Sequence, residues 1–162
     1  MKEGKRRKDE SEEEQLDRNM SELLQELRVS QTGVQILFAF LLALPFAQRF
    51  KEVSAFERDV YFVTLLLAGL ASALFIAPAS FHRLLFRQQE KAYLIASSNW
   101  MAIVGLACLA FAITGTVLLI ADFLFGTTAA AITGGSFGFV FGFLWYALPL
   151  SRLRRRRRRT RR

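Results

Sequence analysis

The sequence predicts an all-α protein, a four-transmembrane-helix bundle preceded by a cytoplasmic amphipathic N-terminal helix. Three observations lead there. Sixteen charges fall in the first 28 residues and nine, all arginine, in the last 12, which leaves only 11 among the 122 positions 29–150. That depleted middle holds four runs with no Asp, Glu, Lys or Arg, at 29–48, 60–81, 100–121 and 129–150. Each run is about 20 residues or a little more, and at a rise of about 1.5 Å per residue such a helix covers the roughly 30 Å hydrocarbon core of a bilayer. Finally, Lys and Arg alternate in abundance between successive connections, nineteen on one side against three on the other. Strands do not fit, because backbone groups in lipid must be satisfied within a helix or a closed barrel, and the runs lack a barrel's alternation.

The N-terminal segment, 1–28, begins with eight charged residues among its first ten and then turns amphipathic. Ser11 and Glu14 have capping-box spacing, and Leu16, Met20, Leu23, Leu24 and Leu27 recur at helical intervals. Residues 9–28 carry eight acids against two arginines, so a surface-lying membrane helix is disfavoured. The stripe instead suits packing on the protein's own cytoplasmic loop or docking to another protein. A continuous helix from Ser11 into the first span and a bend near Gly33 both satisfy the pattern. A short apolar core with a small-residue cleavage site is not seen, so this segment does not read as a signal peptide.

The first span, 29–48, is bracketed by Arg28 and Arg49, long side chains that snorkel outward. Pro45 is expected to kink its outer end. At its inner end Gln31, Thr32 and Gln35 form a candidate polar intramembrane cluster. The second span, 60–81, leads through Pro78 to His82 and a basic loop, 82–99, whose apolar residues suit short helical extensions inward. The third span, 100–121, contains Cys108, and one cysteine excludes an intramolecular disulfide or a thiolate metal cluster. A short turn, 122–128, precedes the fourth span, 129–150, which Pro149 helps to end.

Within the fourth span Ala130, Gly134, Gly138 and Gly142 step by four along one face, in the manner of a glycine zipper. A small-residue face lets two helix backbones approach closely, which matters in lipid, where apolar burial between helices gains little. This face is expected to pack on a neighbouring helix of the chain, with Gly69, Ala73 and Ala77 as candidates, or to form a homo-oligomer interface.

Orientation follows from the positive-inside rule: seven Lys/Arg in the N-terminal segment, three in the loop 82–99 and nine in the tail place both termini and the middle loop in the cytoplasm. The formal net charge of +8 comes wholly from the arginine tail. Arg152, Arg154, Arg155, Arg156, Arg157, Arg158 and Arg159 follow the last span directly and are expected to contact anionic lipid headgroups. Tethering makes phospholipid the nearer polyanion, so nucleic acid is not the expected partner.

Chemistry-bearing motifs are sparse. The chain has no HExxH, no paired Cys/His set, no phosphate loop and no GxSxG, so no catalytic residue, cofactor site or metal site is expected. The polar residues within the spans, Thr64, Ser72, Thr114, Thr116 and Thr133 besides the glutamine cluster, suit interhelical hydrogen bonds.

The strings Leu16-Asp-Arg-Asn, Glu22-Leu-Leu-Gln-Glu-Leu-Arg-Val, Gln31-Thr-Gly-Val-Gln-Ile-Leu-Phe-Ala-Phe-Leu-Leu, Leu44-Pro-Phe, Ile76-Ala-Pro and His82-Arg-Leu-Leu-Phe carry a resemblance. Over about residues 12–125 the chain resembles a family of small actinobacterial integral membrane proteins of unknown function. The resemblance implies a cytoplasmic-membrane location and brings no activity, cofactor or catalytic residue. The expected role is a structural or interaction subunit of the membrane, not an enzyme; the alternative is a small oligomeric channel or transport accessory protein.

Overall fold

The computed structural model describes residues 12–85 and 91–152. Among these, regular structure is wholly helical: α1 Glu12–Ala43, α2 Ala55–Leu85, α3 Lys91–Phe125 and α4 Thr127–Phe141. Two 3-10 turns, Leu44–Phe46 and Gln48–Glu52, follow α1, and a π turn, Gly142–Ala147, carries α4 onward to Arg152. Four stretches are long and apolar enough to cross a membrane: Glu14–Phe46, Ala55–Phe81, Tyr93–Phe125 and Thr127–Arg152.

The boundaries differ from the sequence expectation for identifiable reasons. The leucine-striped segment and the first span lie on one helix, which continues through Gly33; Ser11 and its capping role lie outside the described residues. Pro45 ends α1 at Ala43, short of residue 48, since proline has no N–H to give the ladder. Helix α2 starts five residues before the second apolar run because Ser54 and Glu57 close a capping box. The Glu57 N–H donates to Ser54 Oγ at 3.2 Å, and the Ser54 N–H donates to Glu57 Oε2 at 2.6 Å. The turn expected over 122–128 contracts to Gly126, whose φ of 86° and ψ of 172° are open essentially to glycine alone. Pro149 does not end the fourth helix. It cannot donate to the Trp145 carbonyl four residues back, and the ladder widens just before it: the N–H of Leu148 reaches the Phe143 carbonyl, five residues back.

Burial follows a seven-residue repeat. On α1 the buried side chains are Met20, Leu27, Val34 and Leu41, each seven positions on; on α2 they are Glu57, Tyr61, Thr64, Ala68, Ala71, Phe75 and Pro78, alternating steps of four and three. A seam of period 3.5 is the signature of left-handed, knobs-into-holes helix packing. Its members on α2 include the small residues Thr64, Ala68 and Ala71, which suit close helix approach in lipid, where apolar burial between helices gains little.

Packing divides the described chain into two compact units. The first comprises the described residues up to Phe40 together with Ala68–Leu109. In it, Gly69 of α2 faces the Phe38 ring of α1, where a Cβ would lie 3.4 Å from Cε2, and Gly105 of α3 faces the Phe75 ring, where a Cβ would lie 2.6 Å from Cε1. Gly105 therefore acts as a socket for an aromatic ring, whereas a Cβ at Gly69 would only touch one. Leu94, Ser98 and Cys108 line the buried side of α3 in this unit.

The second unit comprises Leu41–Leu67 and the described residues from Ala110 onward. Pro45 leaves the carbonyl of Leu41 without its i+4 donor, and the Tyr61 hydroxyl supplies one at 3.0 Å. The Tyr61 ring is fixed in turn by an edge-on contact with Phe50, centroids 5.0 Å apart at 75°. Thr64 of α2 sits over Gly115 of α3, leaving no space for a Cβ beside its Oγ1, and Leu118 of α3 covers Gly134 of α4.

Candidate functional site

Two features singled out by sequence fall within the described residues. The first is the polar group near the start of the apolar part of α1. The seam through Leu27 and Val34 sets the rotation of α1, so Gln31 lies at the seam's edge and turns toward α2, while Thr32 and Gln35 are exposed. Gln31 donates from Nε2 to Ser72 Oγ at 2.9 Å. Thr32 instead donates to the carbonyl of Arg28 on its own helix, at 3.0 Å. The three residues therefore do not form one cluster; the working pair is Gln31 with Ser72. The Gln31 Oε1 atom is buried without a hydrogen-bond partner, a costly state away from water.

Three threonine hydroxyls within the spans are spent locally. Thr114, Thr116 and Thr133 each donate at 2.8 Å to a carbonyl four residues back, on Ala110, Ala112 and Ala129. Such bonds satisfy the hydroxyl without linking helices.

The second feature is the small-residue face of α4. Its first half is packed: Ala130 is buried, and a Cβ at Gly134 would lie 3.1 Å from Leu118 Cδ1. Its second half is open. A Cβ at Gly138 would meet only Thr114 Cγ2, at 4.0 Å, and at Gly142 nothing lies within 4 Å. The neighbour of the packed half is thus α3; Gly69, suggested by spacing, faces the Phe38 ring instead. Only 6% of the α4 span window is buried within the chain, against 39% for α3. Beside the open glycines, Phe139 and Phe143 stack with centroids 5.9 Å apart and ring planes 10° from parallel.

Arg152 is exposed at the last described position, and Arg154, Arg155, Arg156, Arg157, Arg158 and Arg159 lie outside the described residues. Among the described residues no group of three or more His, Cys, Asp or Glu side chains is arranged to hold a metal.

Sequence reasoning overlooked three features. The Ser54-x-x-Glu57 string was visible, but it lay in a stretch read as loop. The Tyr61–Leu41 bond had a signal in Pro45, whose missing N–H announces an orphaned carbonyl four residues earlier. The third is a contact of Arg49, whose guanidinium lies over the Phe123 ring, 4.9 Å from its centroid.

Four apolar helices of membrane-crossing length, joined by polar pairs and glycine sockets, define a multi-pass α-helical membrane protein. Within that class, the chain belongs to the family of unknown function DUF6328, whose model matches residues 9–149 and so extends through the fourth helix. No curated protein and no solved structure matches it.

Proposed function

We propose that this protein is a structural or interaction subunit of the cytoplasmic membrane, with both termini in the cytoplasm and no catalytic chemistry of its own. The observation that carries the reading is the disparity in burial: 39% of the α3 span is buried within the chain against 6% of the α4 span, and α4 leaves Gly138, Gly142 and the Phe139–Phe143 stack uncovered. A helix that packs through only half of a small-residue face retains a surface suited to another transmembrane helix. The distribution of Lys and Arg supports the orientation, and the arginine tail supports attachment to anionic headgroups. An origin in actinobacteria accords with the sequence resemblance.

Affinity purification in mild detergent followed by mass spectrometry tests the role. A stoichiometric membrane-protein partner or a homo-oligomer is expected, and a lone monomer overturns it. For orientation, Thr128→Cys in a Cys108→Ser background should react with an impermeant maleimide on intact cells, and Ser21→Cys only after lysis; the reverse pattern overturns the topology. The second reading, a small oligomeric channel or transport accessory, draws on the unpartnered Gln31 Oε1 inside the first unit. It requires a conductance in liposomes that Gln31→Leu alters.

A further inference from the structure

The second unit contains a cleft of about 190 Å³ between the turns that follow α1 and the last turns of α3. Its walls are apolar, formed by Leu44, Val53, Leu119, Ile120 and Leu124 among others. Arg49 also lines it, and its guanidinium is held over the Phe123 ring. The location matters as much as the lining. The first span ends at Phe46 and the third at Phe125, so the cleft lies where hydrocarbon gives way to headgroups, with a cation three residues beyond the end of the first span.

We infer that this cleft is a binding site for a phospholipid with an anionic headgroup, one acyl chain entering between the α1 turns and α3 and the phosphate meeting Arg49. Each part of the site matches a part of that molecule. An apolar slot opening at the membrane boundary is filled by acyl chain, and apart from Arg49 every lining side chain is apolar. The Phe123 ring, itself a wall of the cleft, holds the Arg49 guanidinium beside it through cation–π attraction, and a planar guanidinium donates to phosphate oxygens in pairs. The competing partner is Glu52, whose Oε2 lies 3.6 Å from Arg49 Nε. Both side chains are largely exposed, and exposed pairs of this kind contribute little, so a phosphate displaces the carboxylate readily. Lys51, exposed in the same turn, adds positive charge without lining the cleft.

The inference rests on the chain residing in a bilayer, and the test separates the two claims. The full chain is reconstituted in phosphatidylcholine vesicles carrying a trace of phosphatidylglycerol with a diazirine near the top of one acyl chain. Adducts are mapped by peptide mass spectrometry after illumination. They should concentrate on peptides holding residues 44–53 and 119–124. Excess unlabelled phosphatidylglycerol should remove them and excess phosphatidylcholine should not. Arg49→Gln should lower labelling of the cleft roughly fivefold, the equivalent of about 1 kcal/mol, while labelling at exposed Phe139 stays constant. Lys51→Gln should leave the cleft signal in place. Ile120→Trp, at a partly exposed wall position, should abolish it by filling the slot. Adducts spread evenly over the apolar faces would leave the chain in the bilayer and overturn the site. So would equal competition by phosphatidylcholine, or an unchanged signal in Arg49→Gln. Absence of adducts on every span peptide would instead defeat the membrane placement.

Discussion

Replacing Tyr61 by Phe removes one oxygen and leaves the ring that packs on Phe50 in place. The lost hydroxyl is the donor to the Leu41 carbonyl, at 3.0 Å in a buried setting. Proline 45 is the reason that carbonyl needs an outside donor. In water the deletion of such a bond removes about 1 kcal/mol, but a buried group left without a partner costs about 1–3 kcal/mol. Within a bilayer no solvent repairs it, so the upper part of that range applies. The expected loss for Tyr61→Phe is therefore about 2–3 kcal/mol. Pro45→Ala supplies an N–H at the position from which a helix would satisfy Leu41, so the double variant should recover most of the loss. Unfolding in mixed micelles of rising SDS content, followed by helical circular dichroism, measures all four proteins of the cycle. A Tyr61→Phe protein within about 0.5 kcal/mol of wild type would refute the reasoning, as would a coupling energy near zero between positions 45 and 61.

Four further variants, at Gly115, Gly138, Gly126 and Ser72, are read by the same unfolding measurement. Gly115→Ala places a methyl against buried Thr64, with Oγ1 inside contact distance and Cβ and Cγ2 at 3.4 Å. Overpacking of about 1–3 kcal/mol should outweigh the roughly 1 kcal/mol gain in helix propensity. Gly138→Ala, with only Thr114 Cγ2 at 4.0 Å, should be neutral or stabilising; equal effects at the two sites would contradict the difference in packing. Gly126→Ala should cost about 1–3 kcal/mol because φ of 86° with ψ of 172° is closed to alanine, and an unchanged stability would show that the joint relaxes freely. Ser72→Ala strands both ends of the Gln31 carboxamide and should cost about 1 kcal/mol, whereas Gln31→Leu with Ser72→Ala should lie closer to wild type. Additive losses in that pair would count against the hydrogen bond.

The four spans were legible because run length and missing charge are one-dimensional properties. The rotation of each helix was not. Spans apolar on all sides carry little periodicity in hydropathy, so Leu41 and Leu42 look alike in sequence although one is fully buried and the other exposed. For the same reason Gln31, Thr32 and Gln35 read as one polar group, while the seam through Leu27 and Val34 turns only Gln31 inward. On α4 the spacing of Ala130, Gly134, Gly138 and Gly142 announced close approach, but spacing cannot say which helix approaches or for how many turns. Size, more than polarity, selects the buried positions of α2: Ala68 and Ala71 are buried at the points of contact and Leu70 is half exposed. The Arg49–Phe123 contact joins positions far apart in the chain, and no local pattern announces it.

The unbroken course of α1 has a geometric consequence. Its 32 residues form a rod of about 48 Å, and its seam keeps one phase from Met20 to Leu41. Turning the N-terminal end about its own axis therefore turns the membrane-crossing end with it, as a key turns a lock. One extra residue near Arg28 would shift the two stripes about 100° out of step, since a helix advances by that angle per residue. Within the first unit, a contact made at the leucine stripe is thus carried along the same helix to Val34 and to the Gln31–Ser72 bond.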